Sequence, residues 1–257
     1  MLIPVLTEDK LPLLTAACGF EHVFGSKILT AARAYGLTDP RASFWVQAEG
    51  GCPTAALYLN NHVLVISASE HSAPEEIAAL VREKDMKEVD TNWDQCACLQ
   101  QILGGVTESS YYMAYPGEAF PETFPDIQEG DLRQVFQVLQ RSHEYYRTHF
   151  RFETWSDDLK QKLDRGLMEL YQLEAEGEVV GTGSIISEDE DCGVLAAVAV
   201  VPEHRHKGFG SRISRFLVNR IREKGKTPRL ISGYDAVAEL YRQVGFETRG
   251  RWGELYL

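Results

Sequence analysis

Residues 198–211 read Val-Ala-Val-Val-Pro-Glu-His-Arg-His-Lys-Gly-Phe-Gly-Ser. An apolar strand runs into a glycine turn, and the turn opens a helix. The first N–H groups of a helix have no intrahelical partner, and the helix dipole places partial positive charge at that end. Such a segment is an anion site suited to a pyrophosphate. Gly208 and Gly210 let a phosphate approach the backbone with no β-carbon in the way. Arg205 and Lys207 add charge to a site whose main donors are backbone groups. Two other phosphate motifs do not fit. A dinucleotide fingerprint wants a small residue where Ile213 stands, and a Walker loop wants Gly-Lys-Ser/Thr where the chain has Gly210-Ser211-Arg212.

The elements that must position this turn can be read around it. Three prolines and a glycine between Tyr115 and Pro125 fit neither a helix nor a central strand, so a boundary is expected there, with domains at 1–120 and 125–257. Beyond it, Leu132, Val135, Phe136 and Leu139 recur at helical spacing over Asp131–Arg141. A second helix is expected over Ser156–Met168, capped by Ser156. Leu170–Ala175 and Val179–Ile186 read as a hairpin turning at Glu176-Gly177-Glu178, and Val194–Val201 as a strand covered on both faces. Ser211–Lys224 is expected to be helical, Arg229–Ser232 a short strand, Asp235–Gln243 a helix, and Phe246–Leu257 strands around Gly250 and Gly253.

The first half carries a fainter copy of this plan. Phe44–Ala48 and Ala55–Leu59 flank Glu49-Gly50-Gly51, and Ala48-Glu49-Gly50 echoes Ala175-Glu176-Gly177. A strand at His62–Ser67, a helix at Pro74–Lys84 and a strand at Tyr111–Tyr115 follow. Two related α/β units are the expectation.

Arg205-His206-Lys207-Gly208-Phe209-Gly210 resembles the Arg/Gln-x-x-Gly-x-Gly/Ala signature of the GNAT superfamily of N-acetyltransferases. Leu240-Tyr241-Arg242-Gln243-Val244-Gly245-Phe246 is similar to that family's Leu-Tyr-x-x-x-Gly-Phe element, and the two stand in the family's order. The resemblance covers the second half alone. It implies an α/β (α+β) fold, a mixed and mostly antiparallel splayed β-sheet flanked by helices, and the internal repeat makes two tandem units of it. It also implies acetyl-CoA as co-substrate, and no metal. Val198, Ala199 and Val200 would bond the pantetheine through their backbone, and His206 to Ser211 would cradle the pyrophosphate. Tyr241 falls where relatives place a tyrosine near the CoA sulfur, as general acid for the departing thiolate. Many relatives carry an asparagine at the start of the last helix, where this chain has Tyr234 and Asp235. The first half has no such signature, so it is expected to have lost cofactor binding and to serve the acceptor pocket or a homodimer.

The reaction so implied is direct attack of a neutral amine on the thioester, with backbone N–H groups near Val198 holding the oxyanion. The acceptor would be a primary amine of a small molecule, amino acid or peptide. Glu190 and Asp191 are candidate bases, within a run of four acids that also reads as a solvated turn. The segment His143–Phe152 is expected to border the acceptor through its aromatic and ionisable groups, or to cover the sheet with its rings. The alternative reading is a non-catalytic acyl-CoA-binding or regulatory module, and a donor larger than acetyl is a third.

Composition bounds the rest. The 257 residues are 44% hydrophobic and 25% charged, as in an ordinary folded domain pair. A net charge of −12 disfavours nucleic acid as a partner. The basic residues concentrate from Arg205 to Arg229, where the only acid is Glu223. No apolar run is long enough for a membrane, and Glu8, Asp9 and Lys10 interrupt the opening stretch, so no leader is read there. Five scattered cysteines, with Cys96-Ala97-Cys98 lacking a second ligand pair, point to reduced thiols in a cytoplasm and to no zinc site.

Overall fold

The computed structural model describes every residue of 1–257 except residue 234. The chain divides into two compact units. The first comprises Met1–Tyr112, a short stretch from Ile231, and Thr248–Leu257; the second comprises Met113–Leu230 and Asp235–Glu247. The chain's last ten residues thus belong with its first 112, whereas the sequence places 125–257 in one domain.

In the first unit, β1 (Leu2–Pro4) leads to helices α1 (Leu11–Cys18) and α2 (His22–Tyr35). The meander β2 (Ser43–Glu49), β3 (Cys52–Asn60) and β4 (Val63–Ala68) follows, then α3 (Pro74–Glu83), β5 (Glu88–Asn92), α4 (Trp93–Leu103) and β6 (Val106–Ala114). In the second unit the same plan returns. It runs β7 (Ile127–Glu129), helices α5 (Leu132–Ser142), α6 (Glu144–His149) and α7 (Phe152–Asp164), and the meander β8 (Glu169–Ala175), β9 (Glu178–Glu188) and β10 (Cys192–Val200). Then come α8 (Phe209–Glu223), β11 (Thr227–Ser232) and α9 (Asp235–Val244), and the chain ends in β12 (Glu247–Tyr256), which joins the first unit's strands. The duplication expected from two glycine turns is thus written in the order of elements.

Strand order in the first unit is β1-β2-β3-β4-β5-β12-β6, and in the second β11-β10-β9-β8-β7. Each unit is mostly antiparallel with one parallel pair, β4 with β5 and β10 with β11. Both parallel pairs are short. β10 meets β11 only over Cys192–Val194, and β4 meets β5 only over Val63–Val65. Past those residues the strands part, so each sheet splays into a wedge at the C-terminal end of its central strand.

Local chemistry explains most elements. Asp131 caps α5, its Oδ1 accepting from the N–H groups of Arg133 at 3.0 Å and Gln134 at 2.9 Å. Glu176 and Gly177 have φ of 56° and 82°, the two left-handed residues that a two-residue hairpin turn requires. Ser156 does not cap a helix. It lies within α7, its hydroxyl donating back to Glu153 O at 3.2 Å, and α7 starts at Phe152. A Ser read as a cap was a Ser inside the helix, because both uses satisfy the same hydroxyl. The C-terminal stretch is one strand rather than several. Trp252 and Leu255 on it are buried, and Leu255 joins the first unit's core with Leu57, Ile66, Ile77 and Leu99. In the second unit α8 buries Ile213, Leu217, Val218 and Ile221.

Candidate active site

The wedge beside β10 holds a cavity of about 710 Å³. Three elements build it: the C-terminal end of β10, the turn into α8, and one face of α9. Val198, Ala199 and Val200 line it, as do Arg205, His206, Gly208, Phe209, Gly210, Ser211 and Tyr241. Of the cofactor-binding residues expected from the sequence, Lys207 alone is not on its wall. Its ammonium turns outward, 3.4 Å from His204 Nδ1.

The turn has the backbone an anion needs. His206 has φ of 61° and Gly208, which precedes α8, has φ of 83°. Left-handed residues alternating in a turn curl successive N–H groups toward one point. No side chain caps α8, so the first-turn N–H groups keep their donors for a ligand. Gly210 serves differently, since a β-carbon there would stand 3.3 Å from Leu240 Cδ1 on α9.

Arg205, on the cavity wall, has backbone partners within the unit. Its Nη2 donates to Ser142 O at 2.8 Å and its Nε to Val200 O at 3.2 Å, tying the end of α5 to the end of β10. The other cations of the basic run are likewise engaged. Arg212 pairs with Asp126, Arg215 with Glu122, Arg220 with Glu169 and Glu223, and Lys224 with Glu169 and Glu188. The Arg212 guanidinium holds the Asp126 carboxyl below its usual range.

One feature the sequence did not announce lies inside β10. Ala196 faces Ser184 and Ala199 faces Thr182, so Ala197 and Val198 together oppose Gly183 alone. This is a β-bulge, and Ala197 sits at φ of 53°. A bulge breaks the ladder and re-aims the backbone, here at the residues that line the cavity. A run of small and β-branched residues gives no periodic signal for it. On the far side of β10, a β-carbon on Gly183 would meet Ile213 Cγ2 at 2.5 Å, so α8 lies close against the sheet behind the bulge.

Tyr241 is buried on α9, its ring 5.7 Å from that of Phe246, and it reaches the cavity wall. Burial alone pushes its phenol well above the usual tyrosine range. Among the described residues its hydroxyl has no hydrogen-bond partner. Glu190 and Asp191 are elsewhere. They sit in the turn before β10, where Asp189 Oδ1 accepts from the N–H of Asp191 at 2.8 Å and of Cys192 at 2.7 Å. Val198 lies seven positions after Asp191 along β10, about 23 Å at ~3.3 Å per residue. Neither acid lines the cavity, but Ser142 and His143 do. Of the segment 143–152, only His143 reaches this wall, while Tyr145 stacks on His149 at 4.6 Å and Tyr146 on Phe150 at 5.2 Å. Tyr234 lies outside the described residues; Asp235 opens α9.

The acetyltransferase (GNAT) family model matches residues 132–246, which span α5 to the end of α9. No curated protein matches the chain. Among solved structures, a GNAT-family acetyltransferase from Colwellia psychrerythraea is similar in fold at 13% identity. Its TM-score is 0.63, with 100% of this chain and 99% of that one covered. A GCN5-related N-acetyltransferase from Sphaerobacter thermophilus is similar at 17% identity and a TM-score of 0.62, over 98% and 94% of the two chains. A tandem GNAT protein of the clavulanic acid biosynthesis pathway is similar at 12% identity and a TM-score of 0.61, over 99% and 97%. At such identities these likenesses speak for the fold, and the family model speaks for residues 132–246 alone, a stretch that matches the GNAT acetyltransferase family.

Proposed function

We propose that the second unit transfers the acetyl group of acetyl-CoA to a primary amine of a small molecule, amino acid or peptide by direct attack. The observation that carries this reading is the continuity of one cavity from the uncapped start of α8, past the β10 bulge, to the Tyr241 hydroxyl. The pyrophosphate lies on the N–H groups of 206–211, and the pantetheine follows Val198–Val200 as a further strand would. The Val198 N–H, beside the bulge, polarises the thioester carbonyl and holds the oxyanion. Tyr241, kept protonated by burial, gives its proton to the departing thiolate. Of the ionisable wall residues His143, His204, His206 and Glu239, we assign His143, at the end of α5, to take the proton of the amine. The sequence reads the catalytic domain as residues 125–257, and its cavity is built from residues 142–243. Five cysteines without a disulfide fit a reducing cytoplasm.

The test is calorimetric titration of acetyl-CoA into wild type and into Gly208→Glu/Gly210→Glu, with thiol release followed over a panel of amines. Binding that vanishes in a folded double variant, with turnover on some amine, is the expected result. Binding without turnover across the panel would instead make the unit an acyl-CoA-binding module.

A further inference from the structure

Three carboxylates share one face of the first unit's sheet. Glu88 and Asp90 stand two apart on β5, so their side chains leave the same side. β12 runs antiparallel beside them, with Glu254 directly opposite Asp90 and Tyr256 opposite Glu88. The residues between, Val89 and Leu255, point the other way and join the unit's core. One oxygen from each of Glu88, Asp90 and Glu254 lies within 4.8 Å of the other two.

Acids gathered on an open surface are ordinary, because water screens them. This group is different at its centre. Asp90 is 7% exposed, and its Oδ1 is buried with no hydrogen-bond partner. Glu88 and Glu254 are half-buried and open the group toward solvent. The cation that faces them is Lys27 of α2. Its ammonium stands 4.0 Å from Asp90 Oδ2, at the outer limit of an ion pair, and 4.4 Å from the centre of the Trp252 ring. Glu108 of β6 adds negative charge that bears on Glu254 and Tyr256. Three carboxylates against one ammonium leave two negative charges uncompensated, and their repulsion is stronger here than in water. A proton discharges one of them. A divalent cation discharges both.

The donor set says which cation. Carboxylate oxygens select hard ions such as magnesium, calcium and manganese. Magnesium keeps most of its water and usually takes one or two carboxylates, whereas calcium accepts six to eight oxygens in a flexible shell. Oxygens within 4.8 Å of one another fit around one calcium ion at ~2.3–2.6 Å from each. We infer that Glu88, Asp90 and Glu254 form a calcium-binding site on the first unit. The ion supplies the partner that the Asp90 carboxylate lacks, and water completes its shell from the open side. None of the three residues lines the cavity beside β10, so the site stands apart from acyl transfer.

The experiment is calorimetric titration of calcium chloride into the chelator-washed full chain at pH 8, with thermal melts alongside. One calcium per chain is expected, with a rise in melting temperature and a tighter Kd than magnesium chloride gives. Asp90→Asn and Glu254→Gln each keep the shape and remove one ligand charge, and each is expected to weaken calcium by about tenfold or more. Lys27→Met removes the competing ammonium and keeps an apolar stem over Trp252. It is expected to tighten calcium, a change that a purely structural lysine would not produce. Glu70→Gln, at an exposed acid elsewhere on the unit, is expected to leave the Kd unchanged. The proposal is overturned if no calcium binds at about 1 mM, the weak end for calcium modules. It is overturned equally if binding is unchanged in both Asp90→Asn and Glu254→Gln, if Glu70→Gln weakens it as much as they do, or if magnesium binds as tightly as calcium.

Discussion

A β-carbon on Gly210 would stand 3.3 Å from Leu240 Cδ1, so the second glycine of the loop is set by the packing of α8 against α9 as well as by any ligand. Gly208 has no such neighbour and is set by its φ of 83°. The two glycines are therefore separable by substitution. Gly208→Ala strains the backbone by about 1–2 kcal/mol with no clash. It is expected to raise the Kd for acetyl-CoA about tenfold and to leave the α8–α9 contact intact. Gly210→Val drives a branched side chain into Leu240, and is expected to lower the melting temperature as well as the affinity. Calorimetry and thermal melts on the two variants separate these outcomes; equal melting temperatures would remove the packing role.

Tyr241 is held protonated by burial, with no cation nearby to lower its pKa. A donor in that state shows no basic limb of its own below about pH 10. Tyr241→Phe is expected to lower kcat by 10²-fold or more, within the usual range for a lost general acid, and to leave the KM for acetyl-CoA nearly unchanged. The phenyl ring keeps the packing against Phe246. An unchanged kcat would return Tyr241 to a purely structural role on α9.

Arg205 was read from the sequence as a phosphate cation, and the structure spends its guanidinium on two backbone carbonyls. The two readings differ in what rescues the loss. A point charge would be replaced by lysine. A fork bridging Ser142 O and Val200 O would not, because an ammonium cannot reproduce the guanidinium's geometry. Arg205→Lys is thus expected to weaken acetyl-CoA binding nearly as much as Arg205→Ala, and the binding to depend only mildly on salt. Full rescue by lysine would restore the electrostatic reading.

Much of the second unit was legible because its signals are local. The helical spacing of Leu132, Val135, Phe136 and Leu139, the turn at Glu176-Gly177-Glu178 and the helix over Ser211–Lys224 each concern residues a few positions apart. What escaped is long-range. Nothing near Trp252 or Leu255 says that β12 pairs with β5, more than 150 residues earlier, through the register Glu254 to Asp90. The bulge at Ala197 depends on the strand opposite, and the use of the Arg205 guanidinium depends on where α5 ends. Of the site residues, His143 was named as part of a segment, but only the tertiary fold separates it from the rings beside it. In the first unit, β5 and α4 gave no clear period, since β5 carries acids on the face that turns inward.

That face supports a prediction about pH. Asp90 is buried, and desolvation first of all pushes its carboxyl up to about 7. The groups facing it are Lys27 from α2, at 4.0 Å, Glu88 from its own strand, and Glu254 and Tyr256 from β12; Glu108 of β6 bears on Glu254 and Tyr256. Lys27 favours the charged form and the two neighbouring glutamates disfavour it. In the unfolded chain an aspartate titrates near 3.9, so between about pH 4 and pH 7 the folded state binds more protons than the unfolded one. Stability must then fall as pH rises through that window and level off above it. Asp90→Asn keeps the shape and removes the charge. It is expected to flatten this slope and to stabilise the protein at pH 8 by about 1–3 kcal/mol, while changing little at pH 4. Urea melts at pH 4, 6 and 8 on both proteins measure it, and a variant less stable than wild type at pH 8 would show that the charged pair with Lys27 outweighs the crowding of the three carboxylates.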